Sequence, residues 1–319
     1  MKNNILYIVV PCYNEEEVLS ETIKLLTKKV DKLIKDNKIN KNSKILFVND
    51  GSKDNTWKII KDNSKTNKLV TGISLSRNRG HQNALLAGLL TAKNHADIII
   101  SMDADLQDDI NAIDEMLEKY QEGNEIVYGV RKSRKKDSLF KKTTALLFYK
   151  LMKFLGVECI YNHADYRLTS KKVLNALEEY DETNLFLRGI IPTIGYKSDI
   201  VYYDRGERYA GKTKYPLKKM ISFAVEGITS FSIKPLTMIC HIGILILIIS
   251  IIIMIYSIVR KVTGNTVTGW TFLSISIWFI GGLQMTSIGI IGEYIGKIYY
   301  ETKKRPRYII SENLLDNNL

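Results

Sequence analysis

The sequence predicts an α/β chain: a mostly parallel sheet flanked by helices, then interfacial helices and a two-helix transmembrane hairpin near the carboxyl terminus. Three observations lead there. Short apolar runs rich in β-branched residues alternate five times with segments of helical periodicity. The unusual polar sequences fall just after those runs, where ligands sit in open parallel sheets. Two stretches of 25 residues, 235–259 and 268–292, contain no Asp, Glu, Lys or Arg.

The strands are expected at 5–10, 44–48, 69–75, 97–102 and 125–130. Their near-continuous apolar character suits burial on both faces. Between them, Val18, Leu19, Ile23, Leu26 and Val30 share one helical face, as do Ala84, Leu85, Gly88 and Leu89, and then Ile113, Met116, Leu117 and Tyr120. The start of the first helix has a plain reading, with Asn14 as its cap, Glu17 reaching back and acids favoured by the helix dipole, which accounts for the acids but not for Pro11 and Tyr13.

Each uncharged stretch exceeds the roughly 20 apolar residues that cross a hydrocarbon core. The second is more polar, and Gly281, Gly282 and Gly289 in it would let helices approach closely. Eight Lys or Arg lie on the outer flanks against Arg260 and Lys261 in the connecting loop, which places both termini in the cytoplasm. The amino terminus lacks the pattern of a cleaved signal. Residues 1–213 are therefore expected as a cytosolic domain, 214–234 as a juxtamembrane amphipathic helix, and 293–319 as a cytosolic tail of a multi-pass cell-membrane protein. The net charge of +12 and nine basic residues in 130–153 favour phosphate-bearing partners, anionic membrane lipid among them. No nucleic-acid partner is expected, since aromatic stacking repeats and binding modules are missing. Three separated cysteines argue against a disulfide framework, and a homo-oligomer stays open.

The chemistry-bearing sequences are PCYNEEE at 11–17, NDGSKD at 49–54 and DADLQ at 103–107. The first two also read as turns and helix caps. In the third, Asp103 and Asp105 stand two apart at a strand end. Such oxygen ligands suit Mg²⁺ or Mn²⁺ that bridges to substrate phosphates. A nucleoside diphosphate would be repelled by these acids unless a cation lay between them. A DxD also occurs as a plain turn.

Together with SRNRGHQNALLAG at 76–88, ADYRL at 164–168 and RYAGKTKYPLKK at 208–219, these motifs resemble the inverting GT-A-fold glycosyltransferases, and among them the polyprenyl-phosphate glycosyltransferases. The resemblance implies that Pro11, Tyr13, Glu15 and Asp50 hold the nucleoside. It implies that Asp103, Ala104 and Asp105 meet the diphosphate sugar, with Asp103, Asp105 and Gln107 around the metal. Arg131, Arg208 and Lys214 match phosphate-binding positions, of the donor or of the lipid acceptor. Asn49 departs from a commoner Asp, and Asp108-Asp109-Ile110 from a proline-containing turn, the latter expected to alter only the next helix cap.

The implied reaction moves one sugar, with glucose preferred, from a UDP-sugar or other nucleotide-sugar to undecaprenyl phosphate on the cytosolic leaflet. A lipid monophosphate is largely dianionic at neutral pH and needs no strong base. Asp165 stands where a base is often assigned; orienting the acceptor or pairing with Arg167 are the competing roles. His81 and His163 could contact sugar or lipid phosphate, or be structural. The alternatives are a polyprenyl-phosphate mannosyltransferase using GDP-mannose and a non-catalytic nucleotide-sugar-binding scaffold. A processive polysaccharide synthase would carry a QxxRW motif, which none of Trp57, Trp270 and Trp278 provides.

Overall fold

A computed structural model describes residues 3–132, 163–182, 186–204, 206, 232, 234–263 and 269–315. Eight strands form one sheet in the order β7-β5-β6-β4-β1-β2-β3-β8. They are β1 (Leu6–Cys12), β2 (Lys44–Asn49), β3 (Val70–Leu75), β4 (Ile98–Ser101), β5 (Ile126–Arg131), β6 (His163–Ser170), β7 (Ser198–Tyr203) and β8 (Ile310–Asn313). The first five match the expected runs. β6 and β8 run against the other six, so β6 pairs antiparallel with both β4 and β5.

Alternation along β1 divides the core. Leu6, Ile8 and Val10 face one layer, with α1 (Glu16–Lys35), α2 (Thr56–Thr66) and α4 (Ala112–Gln121) packed over it through Leu19, Ile23, Ile60 and Met116. Tyr7 and Val9 face the other, covered by α3 (His81–Ala92), α5 (Lys171–Glu178) and α6 (Leu187–Thr193). Each fully buried Leu, Ile or Val contributes about 1.5–3 kcal/mol of transfer energy, so both faces are well anchored. Gly88 lets α3 settle onto the sheet: a Cβ there would lie 2.4 Å from Val9 Cγ1 and 2.6 Å from Val48 Cγ2.

Beyond the sheet lie two long helices, α7 (Lys234–Val262), which extends past the expected 235–259 at both ends, and α8 (Trp270–Thr302), which starts after the expected 268 and runs on beyond 292. By length and composition, residues 234–253 of α7 could cross a membrane. The chain then returns to the sheet. β8 pairs antiparallel with β3, the Ser76 amide donates to the Ile309 carbonyl at 2.9 Å, and the Trp57 indole donates to Glu312 at 2.9 Å. The tail expected over 293–319 thus contains the end of α8 and an edge strand. Of the helix expected over 214–234 only residues 232 and 234 are described, Lys234 as the first residue of α7, and the basic stretch beyond 132, Arg208 and Lys214 fall outside the described residues.

Candidate active site

The loops after β1, β2, β3 and β4 leave the same end of the sheet and are tied to one another. Asn14 adopts φ +53°, and its Oδ1 accepts the Lys53 amide at 2.9 Å, while its own amide donates to Ser52 Oγ at 3.0 Å. The capping box of the plain reading does not form at α1. The amides of Glu15 and Glu16 donate instead to Thr56 Oγ1 at 2.9 Å and Asp54 Oδ2 at 3.2 Å, some 40 residues along the chain. Cross-loop bonds replace the local cap because α1 begins where two strand ends already lie side by side.

Of the residues expected around the nucleoside, Pro11 is buried beside Val48, Tyr13 is 38% exposed and Glu15 is half-buried. Asp50 is buried. Its two carboxylate oxygens accept the amides of Arg79 at 2.7 Å and Gly80 at 3.0 Å. Burial pushes the Asp50 carboxyl up, and those two amides partly oppose the rise. Gly51, at φ +61°, is pressed against the same loop, since a Cβ would stand 2.5 Å from the Arg77 carbonyl carbon and the Asn78 nitrogen. Asn49 is buried and donates to Ser74 Oγ at 2.8 Å, a bond an aspartate could not donate.

After β4, Asp103 and Asp105 are half-buried and flank the buried Ala104, whose carbonyl accepts Thr22 Oγ1 at 2.8 Å. Leu106 takes φ +56°, turning the chain so that the Gln107 amide donates to Asp105 Oδ1 at 3.2 Å. The Asp103 carboxyl is raised by burial and, against His81, by the charges of Asp165 and Asp105. Acids held together in this way fit a hard divalent cation. Among the described residues no three His, Cys, Asp or Glu side chains group closely enough to hold a metal ion.

Asp108 departs from expectation. The residue is 3% exposed and does not cap α4; the Asn111 amide is met by Asp109 Oδ1 at 2.9 Å. Asp108 Oδ1 instead accepts the Tyr203 hydroxyl at 2.6 Å and lies 3.9 Å from an Arg131 nitrogen. Burial and the neighbouring Asp103 push its carboxyl up to about 6, opposed by the Tyr203 bond. This contact brings Arg131, at the end of β5, up to the acid loop.

Asp165, on β6, is buried among three basic groups. Arg167 reaches it at 2.8 Å, Arg188 forks onto both oxygens at 3.1 and 2.9 Å, and His81 Nε2 lies 3.4 Å away. Burial alone would raise this carboxyl, yet Arg188, His81 and Arg167 hold it well below the usual carboxylate range. His81 Nε2 also stands 3.7 Å from Asp103 Oδ1, linking β6 to the acid loop. Burial disfavours the charged imidazole, but the Asp165 bond and the Asp103 charge outweigh it and push His81 up to about 9. Sequence reasoning missed Arg188, which lies on α6 with no motif around it.

The sequence pattern described as Glycosyl transferase family 2 matches residues 7–178. The uncharacterized glycosyltransferase YkoT of Bacillus subtilis is 58% identical over 315 residues, covering 99% of this chain and 94% of that one. A prophage bactoprenol glucosyl transferase homolog of Escherichia coli is 42% identical over 307 residues, covering 95% and 97%. The bactoprenol glucosyl transferase of Shigella phage SfII is 40% identical over 308 residues, covering 96% and 97%.

Proposed function

The chain belongs to glycosyl transferase family 2, and from that premise we propose that it moves one sugar, glucose, from a UDP-sugar to undecaprenyl or a related polyprenyl phosphate at a membrane surface. One observation carries the proposal: the likeness to proteins named bactoprenol glucosyl transferases extends over nearly the whole of both chains, long apolar helices included. A likeness confined to the sheet would support sugar transfer alone.

In this reading the loop ends around Pro11, Tyr13, Glu15 and Asp50 receive the nucleoside. Tyr13 offers an exposed ring, while Asp50 acts through the 79–80 backbone that it holds. Asp103 and Asp105 would hold Mg²⁺ or Mn²⁺, with Gln107 beside them; when bound, the ion neutralises charge growing on the diphosphate leaving group. Arg131, steadied by Tyr203 and Asp108, faces a phosphate, and Arg208 and Lys214 are assigned the same task on the strength of the motif. Asp165 is read as a positioning residue. Its three basic neighbours keep it ionised and engaged, and a dianionic acceptor phosphate needs no proton removed. The 235–259 and 268–292 spans are read as a hairpin with the catalytic domain and both termini in the cytoplasm. Outward-facing Ile244, Leu245 and Ile252 in α7, each at least half exposed, support lipid contact for the first.

A donor panel of UDP-glucose, UDP-N-acetylglucosamine and GDP-mannose, assayed on the full chain with undecaprenyl phosphate and Mn²⁺, tests the proposal. Glucosylated lipid phosphate is the expected product. Preference for GDP-mannose would select the mannosyltransferase alternative, and no lipid product from any donor would sink the reading. Asp105→Ala or EDTA is expected to lower turnover on the order of 100-fold or more; full turnover would refute the metal assignment.

A further inference from the structure

Asp165 is met by two guanidinium groups and an imidazole. Arg167, fully buried, bonds Oδ1 at 2.8 Å and donates from its other arm to the Leu187 carbonyl at 3.3 Å, which already seats α6 against β6. Arg188 then forks onto the same carboxylate. Two guanidinium groups thus share one carboxylate, and only the first of them is needed to seat α6.

Depth separates the members of this cluster. The side chains of Asp165 and Arg167 are 5% and 1% exposed, whereas those of Arg188 and His81 are 32% and 36% exposed. The buried acid is therefore a foundation, and the two partly open basic side chains are what it presents. His81 lies between Asp165 and Asp103, so this edge adjoins the paired acids without being part of them.

We propose that Arg188 and His81, carried on Asp165, bind the phosphate of the acceptor. The inference rests on the reading above that the acceptor is a polyprenyl phosphate. Both substrates of such a reaction bring phosphate to one cleft, and two phosphates approach each other only when each has its own positive partner. The acid pair and its cation serve the diphosphate. A guanidinium fixed in place along one edge by a buried carboxylate is preorganised for a tetrahedral oxyanion, whose oxygens match its fork. The imidazole adds an N–H donor beside it.

The test uses the full chain in detergent and measures binding of farnesyl phosphate, farnesol and UDP to wild type, Arg188→Gln and Arg188→Lys. Loss of one charge-assisted phosphate contact is expected to weaken farnesyl phosphate about 10-fold or more in Arg188→Gln, with Arg188→Lys in between. Farnesol, lacking the phosphate, and UDP should bind all three proteins within about twofold, a spread of roughly 0.4 kcal/mol. Unchanged farnesyl phosphate affinity in Arg188→Gln overturns the proposal, and so does a weakening of UDP in its place, which would give Arg188 to the donor. If Arg188→Gln fails to fold, Arg188→Lys carries the same comparison. A wild-type chain that binds farnesyl phosphate through Arg188 but passes it no sugar refutes the functional reading and leaves this site standing.

Discussion

The Asp50 carboxylate and the Gly80 amide, 30 positions apart, meet at 3.0 Å, and with the Arg79 amide at 2.7 Å they use both oxygens of that carboxylate. The consequence is a loop held by its backbone rather than by side chains. Asp50→Asn would put an amide nitrogen against one of two N–H groups. We expect a loss of about 1–3 kcal/mol in stability, read by denaturant titration, with a higher KM for the nucleotide donor. Wild-type stability and donor KM in this variant would show that the loop is fixed by something else.

Gly51 tests the same loop from the other side. A methyl group there meets backbone atoms of Arg77 and Asn78 at 2.5 Å and adds strain at a positive φ. Gly51→Ala should push residues 76–80 away, raising donor KM at least several-fold. Gly80→Ala separates the two effects: at φ +84° and ψ 156° it adds backbone strain, but its Cβ would meet no atom within 4 Å, so it should not displace the loop by steric contact. Wild-type donor KM in Gly51→Ala would contradict close packing at Gly51.

His81 predicts a pH dependence in metal-free protein. Its folded pKa of about 9 stands above the ordinary 6.5, so the native state keeps a proton that the unfolded chain releases between these values. The stability contributed by the histidine is fully present below pH 6.5 and is lost as pH rises through about 9. In EDTA, the melting-temperature gap between wild type and His81→Asn should therefore shrink from pH 6.5 to 9. A gap that is constant across this window, or widens, would mean that His81 is not paired with Asp165 and Asp103.

The edge strand gives a fourth expectation. Deleting residues 308–319 exposes the β3 edge and strips Trp57 of its Glu312 partner, so the protein should melt lower and form aggregates visible by light scattering. Glu312→Gln should change little, because the Lys61 pair at 3.1 Å is solvent-exposed and such pairs contribute about 0–1 kcal/mol. Monomeric, stable truncated protein would show that β8 is dispensable.

Periodicity revealed β1 to β5 and the helices α1, α3 and α4 because each carries a clear apolar face, whereas α2 buries only Thr56 and Ile60 and carries no such signal. It located the acid loop because Asp103 and Asp105 follow directly on the apolar run of β4. β6 escaped notice for a physical reason: Asp165 and Arg167 alternate with Tyr166 and Leu168, which reads as a half-exposed segment. In the fold both charges are buried and neutralise one another. Asp108 was misplaced for a related reason, since its partner Tyr203 lies 95 positions away and local sequence suggests only a helix cap. The failed capping box at Asn14 belongs to the same class, where long-range hydrogen bonds displace a plausible short-range one.

The return of the chain to β3 restricts how it can be threaded. Whatever α7 traverses, the segment after α8 must come back to the side it left, because β8 is stitched into the same sheet that β1 begins. A single one-way passage through a bilayer is incompatible with that stitching. The two long helices therefore make a round trip together or none at all.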